Sequence, residues 1–257
     1  MTAKLLFLLI LFTSSLVAAQ TPRVLDVPSR AGVTQRFLLL QTENAKAAVI
    51  LFAGGHGGLQ LAADGTMKAL RGNFLVRSRE LFAAQGLAVA VIDAPSDRQN
   101  LSGFRDSAGH AADVKAVIAW LKTELKIPVW LVGTSRGTQS AAYVATQSAP
   151  ADGGADGVVL TSSVLVDRRE RPAPDMALSR INVPVLVTHH RQDSCRACLY
   201  ADLPRLTDKL KHLKKTEVIV FDGGDNVGDP CEARAYHGYN GIEAEVVAKI
   251  SAWIKGN

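Results

Sequence analysis

The run from Pro128 to Thr138, PVWLVGTSRGT, decides how the rest of the chain is read. A short apolar strand, Val129-Trp130-Leu131-Val132, enters Gly133-Thr134-Ser135-Arg136-Gly137, and a helix-favouring stretch from Gln139 to Gln147 follows. G-x-S-x-G set between a strand and a helix is the context in which that spacing carries chemistry. A strand that turns at once into a helix brings neighbouring backbone very close, so a Cβ at 133 or 137 would collide. The turn lifts Ser135 into a strained, exposed position, and the helix N-terminus behind it favours negative charge nearby. Taken alone, the motif also fits a serine that merely caps a helix. The surroundings must choose between cap and nucleophile.

Working outward, strands and helices alternate. Ala47 to Ala53 is a fully apolar run, suited to a strand buried on both faces of a parallel sheet, and it empties into Gly54-Gly55-His56-Gly57-Gly58. Phe74 to Gln85 reads as a helix ended by Gly86, and Leu87 to Asp93 as the next buried strand. From Asp106 to Leu125, Val114, Val117, Ile118, Leu121 and Leu125 recur at three- and four-residue steps, the signature of one helix face. Strands follow at Gly157–Thr161, Pro184–Thr188 and Glu217–Phe221, with a helix from Leu203 to Leu213 and a last one carrying Ile242, Val246, Ile250 and Ile254. Two short strands around Val24–Val27 and Phe37–Leu40 precede all of these. The pattern calls for a three-layer α/β/α domain with a mainly parallel sheet of about eight strands. In such sheets ligands bind at the carboxyl ends of the strands, where loops 54–58, 94–104, 133–137, 189–198 and 222–238 would gather.

The chain has 257 residues, 47% apolar and 21% charged, with no repeat or low-complexity tract, and residues 20–257 read as a single domain. Residues 1–19 read as a secretory signal peptide: Lys4 precedes the apolar run LLFLLILF, and Val17 and Ala19 stand at −3 and −1 of a small-residue cleavage site. The expectation is an exported protein, periplasmic or secreted, with no stable membrane insertion. Removing Lys4 with that segment lowers the formal charge from +5 to +4, a mild excess spread along the chain. The densest basic cluster, Lys209, Lys211, Lys214 and Lys215, alternates with Leu206, Leu210 and Leu213 and reads as a solvated helix face, so nucleic acid is not an expected partner.

From about Ala47 onward the chain resembles the α/β-hydrolase superfamily, in the order of its elements, in the Gly133–Gly137 turn, and in having an acid and then a histidine after the serine. The resemblance implies a serine hydrolase. A serine hydroxyl is a poor nucleophile at neutral pH, so a base must take its proton and a third group must orient that base. By the family's placement the acid is Asp193, after the strand ending PVLVT, and the base is His237, in Tyr236-His237-Gly238-Tyr239 before the last helix. Among other candidates, His212 should be solvated, His110 should cap or pack, His189 should be buried and structural, and Asp222 and Asp225 fall one strand late. For the oxyanion, the resemblance implies the backbone N–H of Arg136 and a second from the glycine loop, Gly55 or His56. Ala53 stands where the family often has His. A phosphate-cradling role for the loop is disfavoured because the Gly-Lys-Ser/Thr ending is missing.

Three cysteines in a chain expected to be exported suggest one disulfide and one thiol. Cys195 lies two residues past Asp193 and Cys231 six before His237, so a Cys195–Cys231 bridge would tie the acid loop to the base loop, and Cys198–Cys231 is the alternative. A zinc site from His190, Cys195, Cys198 and Cys231 is the rival reading; no metal and no cofactor are expected. Arg98 and Phe104, with Arg168, Arg169 and Arg171, are candidates for the pocket entrance. The 164–182 segment is too short for a lid, which suggests an open site for small or soluble esters. The expected reaction is hydrolysis of a small-molecule carboxylic ester through an acyl-enzyme. A thioesterase, a peptidase and an inactive binding protein of the same fold are the alternatives.

Overall fold

The computed structural model describes residues 22–257; the expected signal peptide lies outside the described residues. Eight strands form one sheet: β1 (Arg23–Arg30), β2 (Val33–Leu40), β3 (Ala48–Phe52), β4 (Ala88–Ile92), β5 (Val129–Thr134), β6 (Gly157–Thr161), β7 (Val185–His190) and β8 (Thr216–Phe221). Their order is β1-β2-β4-β3-β5-β6-β7-β8. β1 pairs antiparallel with β2, and β2 antiparallel with β4, whereas every pairing from β4 to β8 is parallel. The α-helices are α1 (Phe74–Arg77), α2 (Arg79–Ala84), α3 (Ala108–Leu125), α4 (Gly137–Gln147), α5 (Pro204–Thr207) and α6 (Glu243–Gly256).

Why the central strands are so rich in apolar residues is visible in β3. Ala48, Ile50 and Phe52 pack on one side with Val114, Val117, Ile118 and Leu121 of α3 and Ala141, Ala142 and Ala145 of α4. Val49 and Leu51 pack on the other side with Phe74 and Leu75 of α1, Phe82 of α2 and Val246, Val247 and Ile250 of α6. Alternate side chains thus feed two cores, and a polar residue on either face would be stranded. This gives the three layers expected.

Two helices differ from expectation. The 74–85 helix is broken at Ser78, whose backbone (φ −93°, ψ 2°) leaves the helical basin and caps α1 through its N–H to the Phe74 carbonyl. The 203–213 helix keeps only the α-helical turn 204–207 and then tightens into a 3-10 turn at 208–210. Leu206 and Leu210 are buried in both geometries, so the apolar spacing did not register the change. Between β6 and β7 the chain carries only the short 3-10 turns 173–175 and 178–180, with no lid. No helix among the described residues is long and apolar enough to cross a membrane.

Candidate active site

Ser135 sits at the end of β5 with φ +53°, a left-handed conformation that a non-glycine residue adopts at a cost. The backbone is held there from both sides. The Ser135 N–H donates to the Thr161 carbonyl (3.1 Å), and its carbonyl accepts from the N–H (2.9 Å) and hydroxyl (2.6 Å) of Thr138. The flanking glycines are required sterically: a Cβ at Gly137 would strike the Phe52 carbonyl, and one at Gly133 the Gly137 carbonyl. Helix α4 can therefore lie directly against the end of β3.

Asp193 follows β7 and His237 lies in the 3-10 turn 236–238 before α6; both are 4% exposed. The structure brings them together, with His237 Nδ1 2.8 Å from Asp193 Oδ2. A carboxylate accepts, so Nδ1 is the donor in this bond, which in the neutral imidazole leaves the lone pair on Nε2. The other carboxylate oxygen accepts from the Cys195 N–H (2.9 Å), which fixes the plane of the group. His189, as expected, is fully buried and structural. Its Nε2 donates to the Cys198 carbonyl (2.7 Å) and lies 3.6 Å from Asp193 Oδ2, and burial pulls its pKa down and keeps the ring neutral. His110 packs between Phe52 and Phe104, and His212 is exposed, tethered to the Lys209 and Ile181 carbonyls.

Ser135 and His237 line one cleft of about 320 Å³, but the hydrogen bond between them is not made. His237 Nε2 is buried without a partner, while the Ser135 side chain lies against the Cys198 thiol. Burial raises the pKa of that thiol well above its usual value, so Cys198 stays protonated, a neutral neighbour of the serine. Rotation of Ser135 about χ1 is the motion that would turn its hydroxyl to the histidine.

Gly55 and His56 wall the same cleft, with Leu70, Asn73, Phe74, Cys231 and Glu232. Gly54 passes closest to the serine: a Cβ there would meet Ser135 Cβ at 2.9 Å. Asn73 escaped the sequence reading. Its Oδ1 caps α1 by accepting from the Leu75 N–H (3.2 Å), which turns its amide NH2 towards Gly54. The signal available, an Asn before an apolar helix start, says only that a helix begins.

Cys195 and Cys231 form the disulfide, leaving Cys198 as a buried thiol. The zinc reading fails on its donors. Two of its sulfurs are bonded to each other, and both His190 nitrogens are engaged, with the Gly223 carbonyl and the Gln192 N–H. Arg98 stacks on the Phe104 ring (3.5 Å), and neither lines the cleft over Ser135, because their loop packs behind the glycine loop through the Leu101 N–H to the His56 carbonyl. Arg168, Arg169 and Arg171 do not reach the cleft either.

No protein-family profile matches the sequence, and no curated protein matches it. Solved structures match well in three dimensions. An esterase of Pyrococcus furiosus superposes with a TM-score of 0.66 at 12% identity, over 92% of this chain and 91% of that one. A dienelactone hydrolase of Anabaena variabilis gives 0.64 at 16% identity, over 92% and 97%. A lidless α/β serine hydrolase of Xanthomonas campestris gives 0.55 at 16% identity, over 90% and 95%. At these identities the likeness shows the fold, and the fold is that of the α/β hydrolases.

Proposed function

We propose that this protein is a serine hydrolase that cleaves small carboxylic esters through an acyl-enzyme. The observation that carries the reading is the 2.8 Å His237–Asp193 hydrogen bond, made beside a left-handed Ser135 that shares one cleft with His237. In this reading Ser135 turns from Cys198 to His237, gives its proton to Nε2, and attacks the substrate carbonyl. His237 then returns the proton to the leaving alkoxide, and the cycle repeats with water. The negative oxygen formed in each half is held by the Arg136 N–H and by an N–H of Gly55 or His56. Asp193 holds the imidazole tautomer and balances the imidazolium. The esterase neighbours and the lidless 162–184 connection support small, soluble esters over lipid aggregates. We infer export as well; the disulfide supports it, because such bonds persist in oxidising compartments.

A fluorophosphonate probe tests the reading, since it phosphonylates only an activated serine. Wild-type protein should label at Ser135 and hydrolyse short p-nitrophenyl esters. Ser135→Ala should lose labelling and lower turnover by about 10⁴-fold or more. Unlabelled wild-type protein would sink the proposal.

A further inference from the structure

Arg105 lies in the turn before α3, is 2% exposed, and makes no ion pair with a carboxylate among the described residues. Glu170, the acid whose field reaches it, is itself bound by Arg136 at 2.8 Å. Burial lowers the Arg105 pKa to about 10, so the side chain is still a cation at neutral pH. A buried, unpaired charge is costly, and this one needs a reason for its place.

Its donors supply that reason. Nη1 donates to Ser140 Oγ of α4 (2.8 Å), and Nη2 donates to the carbonyls of Ala53 (3.0 Å) and Gly55 (3.2 Å). A trans peptide points its N–H opposite its C=O, and there is no cis peptide among the described residues. The two peptide units held through their oxygens therefore aim the N–H groups of Gly54 and His56 away from the guanidinium. Gly54 packs on Ser135, and His56 lines the cleft with Ser135 and His237. The His56 N–H makes no hydrogen bond to another described residue. A cation bound at the carbonyl polarises the amide and makes that N–H a stronger donor. The Gly55 N–H belongs to the unit whose carbonyl, Gly54 O, Arg105 does not hold.

We propose that Arg105 is a positioning residue for the reaction at Ser135: it clamps the glycine loop from behind and polarises the peptide units that offer N–H groups to the oxyanion. This rests on the serine-hydrolase reading above, and of the two candidate donors in the loop it favours the His56 N–H.

The test compares wild type, Arg105→Met, Arg105→Lys and Ser140→Ala. Each is labelled to completion with fluorophosphonate to count competent sites. Then kcat and KM per labelled site are measured on a short p-nitrophenyl ester, with the Ki of an alkylboronic acid, whose serine adduct carries a tetrahedral negative oxygen. Arg105→Met should lose about 10- to 100-fold in kcat per site with KM within about twofold, and boronate affinity should fall by a similar factor. Arg105→Lys, which keeps the charge but not the two-carbonyl fork, should recover part of the loss. A purely structural arginine predicts fewer labelled sites with unchanged kcat and Ki per site, and that result overturns the proposal. If Arg105→Met does not fold, wild-type kcat and Ki per site in both Arg105→Lys and Ser140→Ala overturn it equally. Absence of labelling in the wild type would instead defeat the hydrolase reading itself.

Discussion

His110 shows how a residue can be legible in type and not in consequence. It is 1% exposed, it stands edge-on to Phe52 and Phe104, and neither ring nitrogen has a partner. Burial, reinforced by Arg105 and Arg98, pushes its pKa down to about 3. The folded protein therefore keeps this ring neutral where the unfolded chain, with a histidine pKa near ~6.5, binds a proton. The stability present above pH ~6.5 drains away as pH falls towards 3, by about 1.4 kcal/mol per pH unit, or about 2 kcal/mol by pH 5. His110→Leu should flatten that slope and raise stability at pH 5, as read from urea unfolding at pH 5, 6 and 7.5. An unchanged slope would show that other groups dominate acid sensitivity. Asp193 and His237 were readable because each follows a definite strand or precedes a definite helix. Arg105, Cys198 and Asn73 were not, because each gains its meaning from a neighbour 19 or more positions away: Arg105 from the Ala53 and Gly55 carbonyls, Cys198 from Ser135, and Asn73 from Gly54.

At the scale of elements, the strands were written plainly and the short helices were not. A strand buried on both faces shows as an apolar run: β3 and β4 are apolar throughout, and β6 and β7 carry Val158–Leu160 and Val185–Val187 before their polar carboxyl ends. A helix needs only spaced apolar residues, and the 74–85 and 203–213 segments keep that spacing while the backbone breaks or tightens between them. The turn joining β5 to α4 is tightly constrained by the backbone around it, and a sharp contrast with α6 follows for two substitutions. Gly137→Ala would drive its methyl into the Phe52 carbonyl of β3, backbone that cannot yield without moving the central sheet. It should cost about 3 kcal/mol or more and abolish probe labelling. Gly256→Ala, in the last turn of α6 with nothing near its Cβ, should be neutral or gain up to about 1 kcal/mol from helix propensity. Chemical unfolding of the two variants side by side checks both; equal stabilities would contradict the packing assigned to the turn.

For the molecule as a whole, the residues proposed to react are carried by structures of unequal firmness. Ser135 stands on the central strand of a double core, whereas His237 closes an exposed loop running from Asp222 to Arg234, after the edge strand β8. What holds that loop is local. The His190 and Tyr236 rings stack at 4.4 Å, Arg77 donates to the Gly238 carbonyl (2.6 Å), and the disulfide joins Cys231 to Cys195 beside Asp193. The bridge spans a sequence separation of 36, for which chain entropy gives about 3–4 kcal/mol of stabilisation, an amount that depends on the model of the unfolded state. Its larger effect should be on the His237–Asp193 hydrogen bond, since without it the base loop can drift while the sheet stays folded. Cys231→Ala is therefore expected to lower Tm by several degrees and to reduce kcat per labelled serine by about tenfold or more, with circular dichroism unchanged at 25 °C. Adding a reductant to the wild type should reproduce both effects, and reoxidation should reverse them. If the variant loses stability but keeps wild-type kcat, the disulfide serves the fold alone, and His237 is held in register by Tyr236 and Arg77.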